Sequence, residues 1–528
     1  MSLLVPSPPP APATSTRRDF LAEVGRGMVT ATVGLSMASE LGFASSVDIS
    51  LPPRLEFGEL EPLVQIMQET PVTKLLPLLV GKLRKGVSLQ QLVAAGAYAN
   101  ARTFGGEDYV GFHTMMAIAP GFHMACELAP ERAPLPVLKV LYRNTSRIQE
   151  FGGIRNEVLR PTQLDSSGAK PSGDEWLRDS VRGPNRSQTD QLFAASGLSP
   201  EEMINAVLPM VDDETEVHRV VLPYRAWDLL GLIGREHAGT LLRQSVRYCV
   251  KSEMTHPDSR NESRRLLPQL LEEHQLLGAK PGDRTVDDQW ITEFSALLFK
   301  STPSQAAAAA AAALAEGIAP DAIGEAISLT ANQLLLRDHG RTPSMEVTGK
   351  PIGSVHGDSI GVHACDSAAA WRNLARVANP RNTFACLILG AYQAALDRTA
   401  RGGDFQNWAP LPLQQHSDSS KLVDSAGLLR ELDEAIRGNL QGRAAGIVHR
   451  YGQLTHDPAN VFEVLRSYAI SEDGALHGEK FFRTVTEEFR TTRPIFRWRH
   501  LIALARVTAS EYGRPGAGVA EAIDLLRA

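Results

Sequence analysis

One pattern constrains this chain more than any other: a histidine-bearing helix pair that recurs along it. Val110-Gly111-Phe112-His113 resembles Ile360-Gly361-Val362-His363, and the preceding segments, 92–100 and 323–332, both place an Ala-Asn pair late in a helix. Glu216-Val217-His218 joins the series. After His218 the chain reads Ala226-Trp227, Arg235-Glu236-His237 and Tyr248; after His363 it reads Ala370-Trp371, Pro380-Arg381-Asn382 and Tyr392, with 21 residues from Trp to Tyr in both. The first block follows more loosely with Phe122 and Tyr142, and the last offers His477, Arg499-His500 and Tyr512. Agreement at several positions points to one supersecondary plan used repeatedly, near residues 60–150, 190–252, 290–400 and 425–512. Each unit has a histidine near the start of its first helix, an aromatic two to three turns later, and a tyrosine ending the second. The aromatics read as packing residues.

The periodicity between these positions is helical throughout. Residues 63–85, 89–103, 305–316 and 321–337 carry apolar side chains at three- and four-residue spacing, and no series of alternating strands appears. The alanine run 306–313 is a helix rather than a linker, because alanine is the strongest helix former. Gly/Pro/Ser/Asp clusters near 161–185, 255–261, 278–287, 339–351 and 402–420 mark loops. The expected fold is all-α, a multi-helical array around a central site, with one large domain over 55–512 and a tail over 513–528.

The chain begins differently. Thr16-Arg17-Arg18-Asp19-Phe20-Leu21 follows a Pro/Ala-rich stretch and precedes a weakly apolar segment over 28–38, the pattern of a twin-arginine export signal. Gly42-Phe43-Ala44 supplies small residues for cleavage near Ala44, although Glu23 and Glu40 are unusual in such a segment. The signal implies passage through the twin-arginine machinery to the periplasm or beyond, as a folded protein. Folding before export suits a cofactor inserted in the cytoplasm. A net charge of −6 without a basic, aromatic-interleaved run gives no sign of nucleic-acid binding, and no apolar stretch is long enough to span a bilayer. Cys126, Cys249, Cys365 and Cys386 are widely spaced and read as free thiols, with pairing left open by the exported location.

If the repeated helices surround one axis, His113, His218, His363 and His477 converge as metal ligands do inside a helix bundle. Neutral imidazole suits iron, zinc, copper or nickel. His477 and Lys480 are three apart and share a helix face. His356 and His363 are seven apart and do so if one helix runs between them, and Asp366, three beyond His363, is placed to orient its ring. HExxH, GxSxG, Walker and dinucleotide-binding glycine patterns are absent. Arg243 and Arg381 open second helices, either to anchor an anionic substrate or to pair with carboxylates. The rival readings are a helical scaffold with structural histidines and a metal-dependent hydrolase.

The stretch from Val217-His218 through Ala226-Trp227-Asp228-Leu229-Leu230 to Leu242-Arg243 and Tyr248 resembles a helix pair of the questin oxidase-like family. Phe112-His113 is similar to that family's early His helix, residues 356–363 lie where it has Asp-Phe-x-x-Met-His, and His477-x-x-Lys480 matches a late His-x-x-Lys, in order over roughly 60–512. The resemblance implies oxygen-dependent chemistry on small molecules: oxidative cleavage or Baeyer-Villiger-like oxygenation of anthraquinone-type polyketides. A ring-cleaving branch is similar to a non-haem iron dioxygenase with histidine ligands and a carboxylated lysine. It therefore implies iron on His113, His218, His363 and His477, with Lys480 as the carbamate candidate. Two departures stand out. Asp358-Ser359-Ile360-Gly361-Val362-His363 lacks the family's aromatic and Met, and the export signal is foreign to its fungal members. The anthraquinone substrate is accordingly not carried over.

Overall fold

Caps and prolines cut the chain into its helices. Ser88 and Gln91 form a reciprocal capping box at the start of Leu89–Phe104, and Gly105, with φ of 53°, ends that helix in the left-handed region. Thr302 and Gln305 do the same for the alanine helix Pro303–Ala315. Pro71 divides what the periodicity reads as one helix into Glu61–Glu69 and Val72–Arg84, because proline cannot donate to the preceding turn. The computed structural model describes residues 53–162, 175–255, 262–357, 359–400 and 403–528, so the expected signal over 1–44 lies outside the described residues. Among these residues there are helices and isolated bridges but no strand, and the fold is all-α. No helix is long and apolar enough to cross a membrane.

Residues 54–528 form one compact unit. Four helices make its centre: Tyr109–Cys126, Val217–Ile233, Ile360–Ala375 and His477–Thr491. Each packs against the next, and the fourth closes on the first. They are named below by their histidines. His113, His218, His363 and His477 all stand in the first turn or two of their helices, so four N-termini gather at one end and the inner bundle is parallel. Each inner helix is followed by an outer one that packs back on it: Pro134–Phe151, Ala238–Thr255, Pro380–Ala400 and Pro494–Glu511. The outermost layer includes the alanine helix, whose Ala306, Ala307, Ala310 and Ala311 are fully buried and allow close approach to Pro380–Ala400.

The repeated Gly two residues before His113 and His363 has a steric cause. A Cβ at Gly111 would fall 2.5 Å from the Phe104 ring, and one at Gly361 would fall 2.6 Å from the Leu335 Cα, so each glycine lets the preceding helix lie against its histidine helix. The Ala-Asn pairs also serve packing, but not identically. Asn100 donates to the Gly111 carbonyl, Thr114 and Asn144, whereas Asn332 donates to the Arg499 carbonyl. The C-terminal stretch read as a tail contains the helix Val519–Arg527, which packs on Val72–Arg84 and Pro134–Phe151 with Val519 and Ala522 buried. Its short amphipathic pattern lies outside the four-unit plan.

Candidate metal centre

The four repeat histidines meet at the N-terminal end of the inner bundle. Going round, ring centroids are 4.8 Å apart for His113 and His218, 5.9 Å for His218 and His363, 5.5 Å for His363 and His477, and 5.1 Å for His477 and His113. Within two of these pairs Nε2 faces Nε2, at 3.2 Å for His113 and His218 and at 3.4 Å for His363 and His477. Two nitrogens bound to one ion at about 2.1 Å, with angles between square and tetrahedral, stand roughly 3.0–3.4 Å apart. Among the described residues no group of three or more His, Cys, Asp or Glu side chains is placed so that it could hold a metal ion. The imidazoles instead form a ring of facing pairs with the spacing of ligand pairs.

Hydrogen bonds at the other ring nitrogens decide what those pairs are. His113 Nδ1 lies 2.7 Å from the Tyr109 carbonyl oxygen and His477 Nδ1 lies 3.1 Å from that of Ala475. His218 Nδ1 lies 2.5 Å from Glu216 Oε1. Carbonyls only accept, and Glu216 is ionised: burial opposes the charge, but His218 and the hydrogen bonds it receives hold its pKa down at about 2. Each of these three Nδ1 atoms therefore carries a proton, which leaves Nε2 with a lone pair wherever the ring is neutral, the tautomer that metal-ligating histidines adopt. The Nε2 atoms of His113 and His218 lie 3.2 Å apart, so two neutral rings would face each other there with lone pairs. Protons on two of the rings are disfavoured. Burial, then the Lys480 charge, then neighbouring imidazoles push His113 and His477 below the ordinary histidine range.

The local sequence builds this arrangement. Glu216 is both N-cap and ring acceptor: Oε2 receives the backbone N–H of His218 and Arg219 and the Tyr248 hydroxyl at 2.8 Å, while Oε1 holds the ring. Asp108 caps the His113 helix through the Gly111 N–H and is held by Arg147. These two carboxylates offset part of the positive potential of four converging helix N-termini. Gly357 touches the ring from outside, for a Cβ there would fall 1.9 Å from His477 Cβ. Tyr109, exposed at 59 %, lies over the ring with its centroid 4.4 Å from His113 and 5.7 Å from His218.

Lys480 and Asp366 stand one step further in. Lys480 is buried, and desolvation lowers its pKa to about 8 against the opposing charge of Asp366. Burial raises the Asp366 carboxyl, and Lys480 and the Thr484 hydroxyl, which donates at 2.8 Å, oppose that rise. Asp366 thus turns to Thr484 and Lys480 on the neighbouring inner helix. His356 is also differently placed. The helix begins at Ile360, so no continuous turn joins His356 to His363, and the Arg514 guanidinium lies 3.3 Å from its Nε2. Asp358 lies outside the described residues.

Arg243 and Arg381 prove to be paired with carboxylates, Arg243 with Asp190 at 2.9 Å and Arg381 with Asp212 and Glu175. Of the remaining histidines, His123 meets Asp228 at 2.9 Å, His237 packs on Tyr98 and Phe57, and His339 stacks on Trp408. Glu216, Tyr248 and Tyr109 are the site residues that the sequence reading did not assign. An acidic N-cap two residues before a repeat histidine was the available signal for Glu216, and the shared Trp-to-Tyr spacing had marked Tyr248 only as packing. Comparison with known protein families, with curated proteins and with solved structures finds no match.

Proposed function

We propose that this protein is an exported non-haem metal oxygenase, with iron held by the Nε2 atoms of His113, His218, His363 and His477. The observation that carries the proposal is the convergence of four imidazoles, with the Nε2 atoms of His113 and His218 3.2 Å apart and their Nδ1 atoms held by the Tyr109 carbonyl and Glu216. A donor set of imidazoles fits a first-row divalent metal, and Glu216 and Asp108 supply negative charge against the positive potential of the helix N-termini. Bound iron would supply the one-electron chemistry that lets dioxygen react with an organic molecule. Glu216 and the Tyr109 and Ala475 carbonyls keep the rings in register and fixed in tautomer. Lys480, partly neutral near pH 8, can add its amine to carbon dioxide: an N–C bond forms, a proton leaves with Asp366 as the acceptor at hand, and the carbamate supplies a hard anionic oxygen. Export by the twin-arginine route would let iron be loaded before the protein meets competing copper or zinc.

The substrate we assign is a flat, oxidisable aromatic or similar small molecule. A cleft of about 200 Å³ is walled by Met345, Ile360, Phe405 and Trp408, with Arg341 and Asp338 at its polar side. Ile360 stands one turn before His363 on the same helix face, so the cleft wall leads to the ring. A hydrolase would use the same ligands, and ferrous loading under anaerobic conditions separates the two. An open coordination position on iron gives a half-integer-spin paramagnetic resonance signal with nitric oxide. A protein that refuses iron, takes up zinc and cleaves esters instead would refute the oxygenase.

A further inference from the structure

Away from the histidine ring, a cavity of about 400 Å³ opens where the helices Asp288–Lys300, Pro320–Arg337, Gln441–Gln453 and Pro494–Glu511 meet the 410–412 loop. Arg337, Arg499 and His449 line it together with Gln333, and no Asp or Glu does. Several buried guanidinium groups elsewhere face carboxylates, Arg102 with Glu61, Arg225 with Glu487, Arg243 with Asp190 and Arg372 with Glu488, while Arg506 donates to the backbone carbonyls of Leu335 and Asp338. Arg499 has no such partner among the described residues. Its guanidinium lies over the Phe496 ring, 5.5 Å from the centroid. Arg337 donates only to the Trp408 carbonyl and rests on Phe299.

Burial lowers the pKa of both guanidinium groups and of the His449 imidazole, with no acidic neighbour to oppose it. Leaving such charges half-buried and unpaired costs stability, which an incoming anion would recover. The His449 Nδ1 is 2.9 Å from the Ser417 hydroxyl, which leaves its Nε2 for a ligand. Leu336, Leu411 and Ile502 give the cavity an apolar side.

We infer that this cavity binds an organic anion, a carboxylate or a phosphate ester. Arg499 and Arg337 hold its charged group, and its apolar part lies against Leu336, Leu411 and Ile502. Arginine suits either oxyanion because its planar fork meets two oxygens at once. The site shares no residue with the histidine ring, so it stands whether or not a metal is bound there.

Calorimetric titration of the full-length protein with hexyl phosphate, hexanoate and hexanol tests the assignment. Saturable binding of an anion but not of hexanol is expected, and whichever anion binds more tightly identifies the charged group. Arg499→Ala and Arg337→Ala should each weaken that binding by about tenfold or more, and Arg499→Lys by less, with metal content unchanged. No anion binding by the native protein would overturn the inference. So would equal binding to a folded Arg499→Ala or Arg499→Gln variant with native helicity.

Discussion

The inner bundle has two levels built on opposite rules. At its N-terminal end, four imidazoles face each other in pairs, with Nε2 atoms 3.2 and 3.4 Å apart. One to three turns further in, charges are matched. Arg225 lies between Glu487 and Asp228, Arg483 bonds Glu487, and the Tyr224 hydroxyl donates to Glu487 at 2.5 Å. Arg372 meets Glu488 at 2.6 Å, and Ser328 donates to the same carboxylate. A matched network completes itself and holds four helices in register. The ring gathers four like groups instead of pairing opposite charges, an arrangement that the proposed metal would hold together.

Variants at the two levels should therefore fail in different ways. The largest effect is expected from His113→Ala combined with His363→Ala, one from each facing pair. Bound metal should fall more than tenfold while the metal-free protein keeps its helicity and melts close to the native apo form. Glu487→Leu should do the reverse. It leaves Arg225 paired with Asp228 alone and removes the acceptor of the Tyr224 hydroxyl, costing about 1–3 kcal/mol in denaturant unfolding, yet leaves the metal content of the folded fraction unchanged.

His500 provides an intermediate case, a buried histidine with an unpartnered Nε2 but no facing imidazole. Burial lowers its pKa to about 4, with Glu488 opposing. Between about pH 4 and 6.5 the unfolded chain binds a proton that the folded chain refuses. This group's contribution is thus present above pH 6.5 and is lost as pH falls to 4, by up to about 3 kcal/mol. In His500→Phe the acid side of the stability profile should flatten by that amount relative to native, with metal retained. Smallest is Tyr248→Phe, which removes one hydrogen bond from Glu216 and should weaken metal retention about tenfold without unfolding the chain.

The repeat made much of this legible in advance. Helical spacing gave the all-α class, and the alignment of histidine-bearing helix pairs singled out, with His356 beside them, His113, His218, His363 and His477 among fourteen histidines, the four that the fold brings together. What spacing could not give was direction. Asp366 shares a face with His363 yet bonds Thr484, because the partner helix decides where a buried carboxylate turns. His356 lost its place through a helix start at Ile360, four residues later than a two-turn spacing needs. Glu216 acts through its N-cap geometry, and the contact of Gly357 with His477 joins segments over a hundred residues apart. Neither leaves a periodic trace.

The most direct test is metal analysis of the mature protein, purified without chelators or a histidine tag from iron-replete cells. The account predicts about one equivalent of iron per chain, lost in the His113→Ala/His363→Ala variant. A native preparation that is folded and stable with no stoichiometric transition metal would contradict it.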